Sequence, residues 1–213
     1  MTKKVTIVLV DDHAVVRVGL RRLLEQEPLF EIIGECDSGE KAYQIFGEIK
    51  PDVMVMDLSM PGMGGLEAIR RILMRYEKAK ILVLSMHEDL SFANQALKLG
   101  VKGYLIKNTL GDDLMKSIEA VSQGNIFLSD EIAKKMALQL ISDDIDPIHA
   151  LSAREFEIFR LLAEGLDTEA IAAALHISSK TVSNYQTTIK QKLNINTPVE
   201  LIRYAIKFGI IKN

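Results

Sequence analysis

Asp11 and Asp12 follow the apolar run VTIVLV, Asp57 follows DVMVM, Ser85 ends KILVLS, and Lys107 follows KGYLI. If these runs are strands of an open α/β sheet, their carboxyl ends share one edge, and these distant residues converge there. Three carboxylates brought together repel one another, and a hard divalent cation with a preference for oxygen, Mg²⁺ above all, relieves that repulsion. A lysine beside them would neutralise part of the charge and could hold a phosphoryl oxygen, while the Ser85 hydroxyl could donate to another. Asp57, attacking a phosphoryl donor, would form an acyl phosphate. Singly these residues mean little, because Asp11 or Asp12 could cap a helix and Lys107 could be an ordinary solvated side chain. Their placement at four strand ends is what points to a site. Two residues beyond Asp57 stands Ser59 rather than a second acid, so turnover is poorly provided for. A slowly hydrolysing phosphoaspartate, serving as a signal, fits better than a phosphatase or phosphotransferase intermediate.

The elements needed to position this set are legible up to residue 123. VTIVLV, EIIGEC, DVMVM, KILVLS and KGYLI alternate with amphipathic stretches at 14–27, 39–49, 66–76, 90–99 and 112–122. Runs rich in Val, Ile and Met without strict alternation are those of parallel strands buried on both faces. The expected fold is α/β, a five-stranded parallel sheet flanked by helices. MPGMGG, residues 60–65, gives the chain beyond Asp57 room to turn, with Pro61 and Gly62 as a turn pair.

The pattern changes after Gly124. IAKKMALQLI suits a helix, and SDDIDPIHA, with its acids, proline and lack of periodicity, reads as a linker. From Leu151 onward there are only helical stretches, at 152–163, 168–175, 179–193 and 198–208. Ser152 with Glu155, and Thr197 before Pro198, mark two helix starts. The expected domains are 1–124, a helical segment and linker at 125–147, and a small all-α four-helix domain at 148–213.

Composition narrows the setting. The 213 residues carry a net charge of −3, which by itself suggests no polyanionic partner, yet the charge is uneven. Residues 1–130 have 16 basic against 19 acidic side chains, and residues 147–213 have 8 against 6, so the tail is the basic part. One cysteine, Cys36, excludes an internal disulfide and a cysteine-based zinc cluster. No apolar run is long enough for a signal peptide or a membrane span, so a soluble cytoplasmic protein without membrane contact is expected. His13 and His87 lack the Cys/His company of a zinc site and are set aside as catalysts, although His87 could tune the lifetime of a phosphoryl group.

In the tail, the helices at 168–175 and 179–193 are separated only by His176, Ile177 and Ser178, which favours a steep crossing, as in a helix-turn-helix. Ile171, Ala172, Leu175, Ile177, Val182, Ile189 and Leu193 would form its core. The second helix would expose Lys180, Thr181, Ser183, Asn184, Gln186, Thr187, Lys190 and Gln191. Such a helix can enter the DNA major groove. A small bundle docking some other partner has the same outline.

The set Asp11/Asp12, DLSMPGMGG, LVLSMH and VKGYLIKN resembles the receiver domain of two-component response regulators, over most of residues 4–123. The resemblance implies that a sensor histidine kinase phosphorylates Asp57. It implies that Asp11, Asp12, Asp57 and the Ser59 backbone carbonyl hold Mg²⁺, that Lys107 and Ser85 contact the phosphoryl group, and that Ser85 and Tyr104 form the switch. By spacing alone Tyr104 could equally be core filling. The stretch from Leu151 to Leu193 resembles the LuxR-type DNA-binding domain of the NarL/FixJ branch, which implies a phosphorylation-gated transcription regulator that dimerises on double-stranded promoter DNA. RNA polymerase is a further implied partner. Glu169, Ala170, Ser183 and Tyr185 depart from the family's usual surface residues, two of which are basic-to-neutral or basic-to-acidic changes. Lys180, Lys190 and Lys192 remain for phosphates and Asn184 and Gln186 for base edges, so weak monomer binding reinforced by dimerisation is expected. An acidic receiver holding a basic reader until phosphorylation releases it is the expected coupling. Regulation without phosphorylation is the alternative.

Overall fold

The computed structural model describes residues 4–86, 88–109, 111–141 and 147–211. His87 and residues 142–146 of the expected linker lie outside them. The elements, in order, are β1 (Val5–Val10), α1 (Ala14–Leu24), β2 (Phe30–Cys36), α2 (Gly39–Ile49), β3 (Val53–Met56), α3 (Gly64–Arg75), β4 (Ile81–Ser85), α4 (Leu90–Leu99), β5 (Gly103–Ile106), α5 (Asp112–Ser122), β6 (Phe127–Leu128), α6 (Asp130–Ile141), α7 (Ala153–Ala163), α8 (Thr168–Leu175), α9 (Ser179–Leu193) and α10 (Pro198–Lys207). They divide into two compact units, one reaching Glu88 and resuming over Ala96–Ala133, the other formed by Asp89–Gln95 and the chain from Lys134.

In the first unit the strands form one parallel sheet in the order β2-β1-β3-β4-β5-β6. Every residue of β3, β4 and β5 is buried, as helices on both faces require. Ile7, Leu9, Val55, Leu82, Leu84 and Leu105 pack with Leu20 and Leu24 of α1 and with Leu114 and Ile118 of α5. The chain crosses from β2 over β1 to β3, so the order reverses between β1 and β3, and a crevice opens there beyond the strand ends. Register sets the site: Val10 lies opposite Met56, and Ser85 opposite Ile106. The next residues, Asp11 with Asp57 and Lys107 beyond Ser85, therefore emerge together.

Some details differ from the sequence expectation. The sheet has a sixth strand, β6, which pairs with β5 through only two residues, Phe127 and Leu128, too short to show periodicity. Helix α1 stops at Leu24 instead of continuing to Glu27, consistent with Pro28 disfavouring helical backbone just before it. The PIHA end of the expected linker, Pro147–Ala150, forms a 3-10 turn, because Ile148 is fully buried and anchors it.

The second unit contains α7 to α10. Ser152 and Thr197 each close a capping box, with Glu155 and Glu200 respectively, and Pro198 opens α10 where a missing N–H costs nothing. Phe156, Phe159, Ile171, Leu175, Val182, Ile189 and Leu193 are buried and form the core that joins α7, α8 and α9. No helix among the described residues is long and apolar enough to cross a membrane.

Candidate functional site

Asp11 and Asp57 are each 2% exposed, and the Asp57 amide donates to Val10 O at 2.8 Å, continuing the β1–β3 ladder to the edge of the sheet. Lys107 reaches in from the end of β5. Its Nζ donates to Asp11 Oδ2 at 2.6 Å and lies 3.2 Å from Asp57 Oδ1. Asp57 Oδ1 also accepts from the Leu58 amide at 2.9 Å, whereas Asp57 Oδ2 is buried with no hydrogen-bond partner. A buried carboxylate oxygen left bare is unfavourable unless something else binds it. Burial pushes the Asp57 carboxyl above its ordinary value and Asp11 adds to this, while Lys107 and the Ser59 amide pull the other way.

Oxygens of Asp11, Asp12 and Asp57 and a ring nitrogen of His13 lie within 4.8 Å of one another. The three carboxylates suit a hard cation, and the bare Asp57 Oδ2 gives a reason for one to bind there. His13, set aside as a catalyst on sequence grounds, nevertheless belongs to this cluster. It holds the N-cap position of α1 without a side-chain capping bond, its exposed ring lies beside Asp12 with Nδ1 2.8 Å from Asp12 Oδ1, and its amide donates to Asp11 Oδ1 at 2.9 Å. Arg17 donates to Asp11 O at 2.6 Å and orients the turn. Nothing in the local pattern marks Arg17.

Ser85 and Tyr104 are both fully buried, on adjacent strands. The stretch beyond Asp57 is tight. A Cβ on Gly65 would stand 2.1 Å from Asp57 O, so only glycine lets α3 begin this close to the site. Helix α3 begins at Gly64, before the Leu66 expected from hydrophobic periodicity.

The polar helix α9 is organised differently. His176 ends α8 in the left-handed region, Ile177 N–H returns to Ala172 O at 3.0 Å, and Ser178 caps α9 by accepting from the Thr181 amide at 3.1 Å. Arg154 of α7 donates to Leu175 O, a cation at the carbonyl end of α8. Lys180, Ser183, Asn184, Thr187 and Lys190 are exposed. Three residues of the expected reading surface are instead tied within the domain. Gln186 Nε2 donates to Thr168 Oγ1 at 3.2 Å, the Thr181 hydroxyl lies 2.8 Å from that of Ser178, and Lys192 Nζ donates to Glu155 Oε2 at 2.7 Å and to Ala150 O at 3.1 Å. The Ser183 and Thr187 hydroxyls donate to the carbonyls four residues back. Their protons serve the helix, leaving oxygen lone pairs facing outward.

The model of the response regulator receiver domain matches residues 7–119, and that of bacterial regulatory proteins of the luxR family matches residues 149–205. Among curated relatives, the transcriptional regulatory protein DegU of Brevibacillus brevis is 34% identical, covering 98% of this chain and 96% of its own. The oxygen regulatory protein NreC of Staphylococcus epidermidis is 38% identical, covering 97% and 99%. A structure of RcsB from Salmonella enterica serovar Typhimurium, bound to promoter rprA in the presence of the phosphomimetic BeF3-, superposes with a TM-score of 0.76 at 27% identity, covering 95% of this chain and 98% of that one.

Proposed function

The chain belongs to the response regulators that join a receiver domain to a LuxR-type helix-turn-helix, and we propose that it is a cytoplasmic transcription regulator gated by phosphorylation of Asp57. The observation that carries this reading is the convergence of Asp11, Asp12, Asp57 and Lys107 around a buried, unbonded Asp57 oxygen. An Asp57 oxygen attacks the phosphorus of a donor, the bond from phosphorus to the donor's leaving atom breaks, and that atom departs with the electron pair. Lys107 would meet an oxygen of the phosphoryl group, whose negative charge comes to lie beside it at Asp57. Asp11, Asp12, Asp57 and the Ser59 carbonyl would hold Mg²⁺, which when bound would screen the charge of the incoming phosphoryl group. A sensor histidine kinase is the proposed donor, and chemistry beyond this transfer and its slow hydrolysis is not proposed. Ser85 and Tyr104, buried on neighbouring strands, are the proposed switch.

In the proposed output, α9 enters the major groove of promoter DNA, with Lys180 and Lys190 at phosphates and Asn184, Ser183 and Thr187 toward base edges. The bonds made by Gln186, Thr181 and Lys192 support positioning roles for them instead. RcsB has been captured on promoter DNA with a phosphomimetic and as dimers on DNA, and by likeness a homodimer is the proposed bound form here, with RNA polymerase as a later partner. Proposed domain limits are 1–124 for the receiver, 125–147 for the connection and 148–213 for the reader.

The test is an electrophoretic mobility titration on DNA fragments selected by the phosphorylated protein. Phosphorylated wild type should bind more tightly and with a larger mass per complex than Asp57→Asn. Equal binding by the two would favour regulation without phosphorylation.

A further inference from the structure

If the Ser59 carbonyl meets the proposed ion, the segment from Leu58 to Met63 that carries it must keep one shape. On the α3 side it is held by Gly65, whose amide donates to Leu58 O at 3.1 Å and whose missing Cβ admits Asp57 O. Leu58, Met60 and Met63 are buried, while Ser59, Pro61 and Gly62 face outward. The far end turns at Gly62, whose φ of +75° is open to glycine at little cost. There a second element intervenes. Glu40, in the first turn of α2, accepts from the Met63 amide at 3.0 Å. A Cβ on Gly62 would come within 2.9 Å of Glu40 Oε1, so carboxylate and turn are in close contact. Gly39, the residue before, packs as closely: a Cβ there would lie 2.9 Å from Gly64 O. The start of α2 is thus fitted against the end of this segment, and Ser38 fixes that start by capping it.

We propose that Glu40 is a positioning residue for the phosphoacceptor site. By holding the Met63 amide it fixes the turn at Gly62, and with it the height of the Ser59 carbonyl relative to Asp57. Its contribution is to cation affinity and to the phosphorylation that depends on the cation, and it acts without touching either. The inference rests on the reading of Asp57 as a metal-assisted phosphoacceptor.

The experiment uses the full chain as wild type, Glu40→Ala, Glu40→Gln and, as a neighbouring surface control, Lys41→Ala. Mg²⁺ is titrated while the Ser59 and Met63 amide resonances are followed, amide exchange at Met63 is timed, and phosphorylation by acetyl phosphate is read from intact mass. Glu40→Ala should weaken Mg²⁺ binding about tenfold, the scale seen when a group that orients a metal ligand is lost. It should also speed Met63 exchange and raise the donor concentration needed for half-phosphorylation. Glu40→Gln, which keeps an acceptor oxygen, and Lys41→Ala should stay within about twofold of wild type. If Glu40→Ala does not fold, Glu40→Asp, which draws the carboxylate back by one methylene from the Met63 amide, should show a loss in the same direction. Wild-type Mg²⁺ affinity in a folded Glu40→Ala overturns the proposal, even if Met63 exchanges faster, and so does Glu40→Gln failing as badly as Glu40→Ala. If wild type binds Mg²⁺ yet accepts no phosphoryl group, the function proposed for Asp57 falls, while the role of Glu40 is still read from the titration.

Discussion

The two candidate sites stand at opposite extremes of how a fold presents polar groups. Around Asp57, carboxylates from two strand ends are buried with one lysine, and the arrangement leaves an oxygen bare. Along α9, polar groups stand in solvent and bond within their own domain, through Ser183 to Ser179, Thr187 to Ser183, Gln186 to Thr168 and Lys192 to Glu155. The first site holds unsatisfied charge and is suited to react or to bind a cation. The second is already satisfied and offers only what faces outward, so recognition there rests on few groups.

The largest effect expected from this contrast is at Asp57. Asp57→Asn should abolish phosphorylation by acetyl phosphate, read as loss of the added mass, and should raise the melting temperature in Mg²⁺-free buffer because a buried charge is removed. A variant melting below wild type would contradict the picture of an uncompensated site. Next come the two lysines of α9. Lys192→Ala should destabilise the protein by about 1 kcal/mol, seen as a lower melting temperature, because it strips Glu155 of its charged partner. Lys190→Ala should leave the melting temperature alone and lower the salt slope of DNA binding by about one unit. If both behaved alike, the division between bonded and outward-facing residues would fail. Asn184→Ala should relax base preference at one position by about 1–3 kcal/mol in competition binding, whereas Gln186→Ala should weaken all sequences together.

The smallest effect is on pH dependence. Burial raises the Glu155 carboxyl, but Lys192 and the Ser152 amide outweigh it and hold the group below its ordinary 4.5. Its stabilising contribution is therefore complete above that value and lost as pH falls through the lowered one. Melting temperatures of Glu155→Gln and wild type should draw together as the solution is acidified and separate toward neutral pH.

Much of this was legible in the sequence. Asp11, Asp12, Asp57, Ser85 and Lys107 could be grouped because apolar runs of strand length end at each of them, and parallel connection sends all such ends to one edge. The short turn between α8 and α9 was visible as a three-residue separation, and the capping residues Ser152 and Thr197 fixed two helix starts. The turn and the caps are local facts, governed by neighbours within a few positions of the chain. What only the tertiary structure decided is which of these groups are already occupied. Gln186 and Lys192 look available in a one-dimensional pattern, and their partners Thr168 and Glu155 are 18 and 37 residues away. Glu40 belongs to a helix whose sequence shows only an ordinary first-turn acid, yet it reaches the Met63 amide 23 residues on. Residue types set what chemistry is possible. A hydrogen bond depends on ångström distances between distant residues, and packing alone fixes those.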